Sequence, residues 1–130
     1  MLREITGLRQ DEPGLTRRWF HDDYFDLFLW QDAAGTLAAF ELCYGDDAED
    51  RALVWKGGGR FYHDGERIAK NEEEARQLVA RFRGAAAALP AALRAALDAR
   101  LDEYLALRDR LPARRRRFRR ADWQAHRESR

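Results

Sequence analysis

The chain has one cysteine, one serine and three prolines among its 130 residues. A lone cysteine cannot close an internal disulfide, so Cys43, set in an apolar run, reads as a small hydrophobe of a protein kept in a reducing compartment. The lone serine, Ser129, lies next to the last residue, and no GxSxG elbow exists. Serine-nucleophile catalysis is thereby excluded. A GxGxxG fingerprint, a GxxxxGK[ST] loop, an HExxH helix and paired CxxC motifs are also missing; the glycines at 57, 58 and 59 are consecutive and lead into a strand. Dinucleotide binding, P-loop chemistry and the standard zinc sites lose their usual support. No apolar run approaches the roughly 18 residues that span a bilayer, and MLREITGLRQDE lacks the apolar core of a signal peptide. The expectation is a cytoplasmic protein with no membrane partner.

Lysine is scarce too, Lys56 and Lys70 standing against 22 arginines in an alanine-rich chain, a bias that GC-rich coding produces without any demand for guanidinium chemistry. The net charge of +1 conceals an asymmetry. Residues 114–130 carry eight Arg against Asp122 and Glu128, a net +6, which leaves −5 for residues 1–113. An acidic body therefore precedes a basic tail.

What is present divides near residue 70. Upstream, short aromatic-rich runs alternate with turn clusters, the pattern of antiparallel strands; downstream the apolar spacing is helical. The clearest hairpin is YFDLFLWQ, DAAG, TLAAFELCY, in which a four-residue connection, Asp32 to Gly35, pairs Gln31 with Thr36. In that register Leu29 faces Ala38, Asp26 faces Glu41, and Phe25, Leu27, Leu29, Ala38, Phe40 and Leu42 form the core face. RALVWKG supplies a third strand with Arg51 opposite Tyr44, and RFYH a fourth, with His63 opposite Val54. A further strand at Glu66 to Ala69 is expected, LREITGLR is a weaker strand, and Thr16 to Phe20 reads as a turn or short helix.

Asn71, followed by Glu72, Glu73 and Glu74, is an N-cap with a capping box and acidic first turn, and Ala75, Leu78, Val79, Phe82 and Ala86 mark the buried stripe of that helix. Pro90 suits the start of a second helix, in which Leu93, Leu97, Leu101 and Leu105 recur before Pro112 stops it. The expected fold is α+β, a four- to five-stranded antiparallel meander followed by two C-terminal helices packed on one face. Residues 1–113 form this single domain, and residues 114–130 a disordered or helical tail.

Four groups of residues could carry function. Asp26 and Glu41, opposed on the face away from the core, are unfavourable like charges unless a cation or shared proton relieves them; with His63, and with His21 if the four converge in one pocket, they are the candidate ligand-binding or catalytic set. RWFHD at 18–22 echoes RFYHD at 60–64, but neighbours on a strand point to opposite faces, so neither copy is a ready-made His-Asp dyad or chelate. No metal site or cofactor is expected. Tyr24, Phe28, Trp30, Leu37, Val54 and Phe61 gather on the outer face of the sheet, where a solvated sheet would be polar. They are the candidate partner-binding surface, for another protein or a second copy of the chain. Finally, Arg114, Arg115, Arg116, Arg117, Phe118, Arg119, Arg120 and Trp123 could hold nucleic acid by charge and stacking, although no nucleic-acid fold motif accompanies them. The leading expectation is a non-catalytic protein-interaction module that can form a homodimer. Nucleic-acid binding through the tail comes second, and a small-ligand or metal-binding protein or enzyme using His and carboxylates on the outer sheet face comes third.

Overall fold

A computed structural model describes residues 1–45, 51–64 and 72–110. Six strands, β1 (Arg3–Ile5), β2 (Leu15–His21), β3 (Phe25–Asp32), β4 (Leu37–Tyr44), β5 (Arg51–Trp55) and β6 (Phe61–His63), precede the helices α1 (Glu72–Ala85) and α2 (Ala91–Arg110). Each strand pairs antiparallel with its successor, giving one sheet in the order β1 to β6. The α+β class and the two C-terminal helices agree with the sequence reading, and the sheet has one strand more than the upper expectation. Residues 16–20 are the main correction. They are extended rather than a turn, because Trp19 and Phe20 alternate between faces and the whole of LTRRWFH is laddered along β3, from Leu15 opposite Asp32 to His21 opposite Asp26. The Asn71 cap, the strand at residues 66–69, the boundary at residue 113 and the basic tail lie outside the described residues.

The β3–β4 turn explains a second correction. Asp32 stays in the ladder, its amide donating to the Thr36 carbonyl at 2.9 Å, while its Oδ1 accepts the amides of Ala34 and Thr36. Gly35 closes the turn at φ 85°, a conformation glycine adopts without penalty. The ladder then skips Ala38, so Gln31 pairs with Leu37 but Trp30 pairs with Ala39. The turn displaces the register by one residue and the bulge by another. Leu29 therefore faces Phe40 rather than Ala38, and Asp26 faces Cys43 rather than Glu41. Two single offsets restore the parity, so Phe25, Leu27, Leu29, Phe40 and Leu42 do share the core face.

Both helices cover that face. Leu78, Val79 and Phe82 of α1 and Leu93, Leu97, Leu101 and Tyr104 of α2 join the sheet's inner residues in one core, with Phe82 edge-on to Phe25 at 5.7 Å between ring centres. Arg83 clamps the helix pair, donating to Asp98 at 3.2 Å and Asp102 at 2.6 Å. Pro90 immediately precedes α2, and its carbonyl accepts the Arg94 amide at 2.9 Å. The N-terminal end is tied to the same layer, because the Leu2 amide donates to the Ala85 carbonyl at 3.0 Å. Among the described residues no helix is long and apolar enough to cross a membrane.

Candidate functional site

The β2–β3 connection, Asp22 to Tyr24, builds the first site. Asp22 Oδ1 accepts the amides of Tyr24 at 2.8 Å and Phe25 at 2.7 Å, so the turn is closed by a side chain and the hairpin register is set. His21 and Asp26 are thereby brought directly opposite each other. Asp26 Oδ1 lies 2.7 Å from His21 Nδ1 and also accepts the indole Nε1–H of Trp19 at 2.8 Å. A carboxylate only accepts, so the imidazole carries its proton on Nδ1. His21 Nε2 has no partner among the described residues.

His21 lines a cleft of about 510 Å³ at this end of the sheet, together with Met1, Arg3, Asp22, Tyr24 and Arg81. Arg3 lies opposite His21 on β1. The guanidinium carbon of Arg81, on α1, sits 3.4 Å from the centre of the Tyr24 ring. Stacking occupies the face of a guanidinium and leaves its N–H edge available to an anion. Neither Arg3 nor Arg81 has an ion-pair partner among the described residues. Of the two turn carboxylates in the cleft wall, Asp22 is committed to its amides, and Met1 N lies 3.9 Å from its other oxygen; Asp23 is exposed. The lining of the cleft thus includes two arginines without ion-pair partners, while the His21 ring is held with Asp26 and Trp19 on the sheet face opposite the helices.

The second polar cluster is inside the protein. His63 is 1 % exposed and faces the core, opposite Leu53, not Val54. The β5–β6 turn through Gly57 to Arg60 is one residue tighter in register than expected, and this moves His63 inward while Tyr62 takes the outer position beside Val54. His63 Nε2 lies 2.6 Å from the Tyr44 hydroxyl and Nδ1 2.8 Å from that of Tyr104, so both ring nitrogens are engaged whichever one is protonated. Beyond Tyr44, Asp64 accepts from Arg51 at 3.0 Å and from the Ala52 amide at 2.9 Å, and Arg51 also pairs with Glu74. Burial, followed by the Asp64 carboxylate, pushes the Tyr44 phenol well above its ordinary range, with Arg51 opposing. Asp64 adopts φ 53°, a left-handed conformation that aspartate tolerates better than most residues. Ligand atoms of His63, Asp64 and Glu74 lie within 4.8 Å of one another. Arg51 already supplies the cation between the half-exposed carboxylates, and hydroxyls hold both nitrogens of the buried His63, so the cluster has the chemistry of a structural hydrogen-bond and ion-pair network.

The structure therefore separates the expected catalytic set. Asp26 pairs with His21 on the outer face of the β2–β3 hairpin, Glu41 is buried on the outer face opposite Phe28 and Val54, and His63 belongs to the core. The expected outer-face set is divided as well. Leu37 and Phe61 pack in the main core, Leu37 because the turn offset points it inward and Phe61 because it pairs with Trp55. Tyr24 flanks the cleft, whereas Phe28, Trp30 and Val54 do lie on the outer side. Trp30 is buried opposite Arg17 and lines a small cavity with residues 10–12 and Leu15, Val54 is 0 % exposed, and Phe28 stacks on Trp19 at 5.5 Å. The arginines and aromatics of the tail lie outside the described residues. Trp19, Arg3, Arg81 and Tyr104 were not among the candidates; alternation through LTRRWFH and a turn at HDDY would have placed His21 against Asp26. Comparison with protein-family models, with curated proteins and with solved structures finds no match for this chain.

Proposed function

We propose that the protein binds a small anionic ligand, a phosphate or carboxylate compound, in the cleft between β1, the β2–β3 turn and α1. The observation that supports this most is that Arg3 and Arg81 both belong to the lining of one cleft of about 510 Å³, with neither guanidinium neutralised among the described residues. A stacked arginine is already ordered, so it loses little freedom when it forms a bidentate pair with an oxyanion. The proposal follows the third of the sequence expectations, moved from Asp26, Glu41, His21 and His63 to the two arginines beside the β2–β3 turn. Titration with inorganic phosphate, followed by NMR, tests it. Shifts at the Tyr24 ring and the Arg81 guanidinium are expected, with affinity falling as salt is raised. Arg81→Ala should weaken binding about tenfold or more, through loss of a charge-assisted hydrogen bond worth roughly 1.5–3 kcal/mol. Absence of these shifts, or equal affinity in the variant, refutes the reading.

A second reading, self-association through the outer sheet face, draws on the stacked Trp19 and Phe28 pair, which is only half-buried on the side opposite the helices.

A further inference from the structure

We propose that the outer face of β4 and β5 is the docking surface for the chain's own basic C-terminal segment, residues 111–130, which lie outside the described residues. Burial on that face carries the proposal. Ala52 and Val54 are 0 % exposed and Glu41 is 3 % exposed, although all three lie on the side of the sheet away from α1 and α2. Among the described residues, the apolar side chains packed against Ala52 and Val54 are Cys43 and Tyr62, their neighbours in the same sheet. Such neighbours shield a side chain laterally and leave its outward end open, so complete burial requires a further layer on top. The layer is local. Towards β2 the same face is open: His21 and Asp26 keep 40 % and 38 % of their side-chain surface in solvent, and Trp19 and Phe28 are only half-buried.

Geometry and charge name the occupant. α2 runs towards the β6 edge of the sheet, with Arg100 over the Trp55 ring of β5 at 5.4 Å and Tyr104 packed on Phe61 of β6 at 5.5 Å between ring centres. From Tyr104 the helix continues to Arg110, about 9 Å farther on. β6 is the last strand of the described sheet, so the chain leaves α2 at the edge nearest the buried patch. Residues 111–130 would span about 30 Å even if wholly helical, whereas β4 lies only about 10 Å in from β6. One turn round the edge therefore brings them onto Val54 and Glu41. Residues 114–130 carry a net +6 and residues 1–113 a net −5. Glu41 and Asp26 make the receiving face acidic, and the segment brings arginines to it, with Phe118 and Trp123 as apolar cover for Ala52 and Val54. Docked in this way, the arginines meet the protein's own carboxylates instead of the phosphates of a nucleic acid.

Photocrosslinking of the full chain, with the photoreactive analogue p-benzoylphenylalanine at position 118, tests the docking on a mixture of isotope-labelled and unlabelled protein. Crosslinks within one chain to β4, β5 or Tyr62 are expected. Crosslinks to α1 or α2, crosslinks formed only between two copies, or no crosslinks overturn the inference. Cys43, the single thiol and a neighbour of Ala52 on this face, gives a second readout. Replacing Arg114, Arg115, Arg116 and Arg117 by glutamine, or raising the salt, should speed its reaction with a thiol reagent about fivefold or more, as loss of a few ion pairs holding the segment down implies. An unchanged rate overturns the inference. Neither measurement depends on whether phosphate binds beside Arg81.

Discussion

The phenol of Tyr44 lies against an imidazole on one side and the Asp64 carboxylate on the other, and its ionisation is suppressed by both burial and that charge. Its folded pKa is raised, so the stabilisation it provides is fully present below the unfolded value of about 10 and is lost as the pH rises beyond it, where the unfolded phenol ionises first. Denaturant midpoints measured from pH 9 upward should fall above about pH 10, and the fall should be shallower in Tyr44→Phe. An identical slope in the variant would show that Tyr44 is not the titrating group. Glu4 works in the opposite direction at acid pH. Its bidentate hydrogen bonds with Arg18, at 2.8 Å each, lower its pKa, so its contribution is present above the ordinary carboxylate range and disappears as the pH falls through it. Partial exposure of both side chains keeps that contribution small.

The helices act as the lid of the core, and their residues differ in what they contribute. Phe82 is 2 % exposed and meets Phe25 edge to face, so Phe82→Ala should cost about 3–5 kcal/mol in urea unfolding. Arg83→Ala breaks two bonds to α2 that are open to solvent and should cost about 1 kcal/mol or less. A reversal of that order would mean that the clamp, not the packing, holds the helix pair. The helical elements were legible because a period near 3.6 survives ignorance of tertiary contacts: the stripe from Ala75 to Ala86 and the leucines of α2 are buried as read, with Leu105 partly so. The faces of β3 and β5 were legible for the same reason, and so was the pairing of Arg51 with Tyr44, whereas Leu37, Phe61 and His63 were read on the wrong face and the β3–β4 and β5–β6 partners were missed. Pairing depends on how each turn closes, and neither the Asp32 side-chain turn nor the bulge at Ala38 has a mark strong enough in DAAGTLAA to set it. The site suffered most from this. Asp26, drawn opposite Glu41, has His21 as its real partner, on a strand that the two arginines in LTRRWFH disguised as a turn.

At the scale of the whole molecule, the described body has helices on one side of the sheet and aromatic residues on the other. If the outer face joins two copies, light scattering will report a dimer that Phe28→Ala dissociates; a monomer, with Phe28→Ala and Trp30→Ala simply lowering stability, removes that reading. The order of the elements has its own effect on how the chain comes into being. Every described strand pairs with its neighbours in sequence, so during synthesis the sheet can zip up progressively from β1 as the chain emerges. Among the described elements α1 and α2 come last, and they supply most of the residues that cover Phe25, Leu27, Leu29, Phe40 and Leu42. A ribosome stalled just past β6 would hold a finished sheet with a bare greasy side. The interval in which a newborn chain most needs a chaperone falls between the appearance of Phe61 and that of Tyr104.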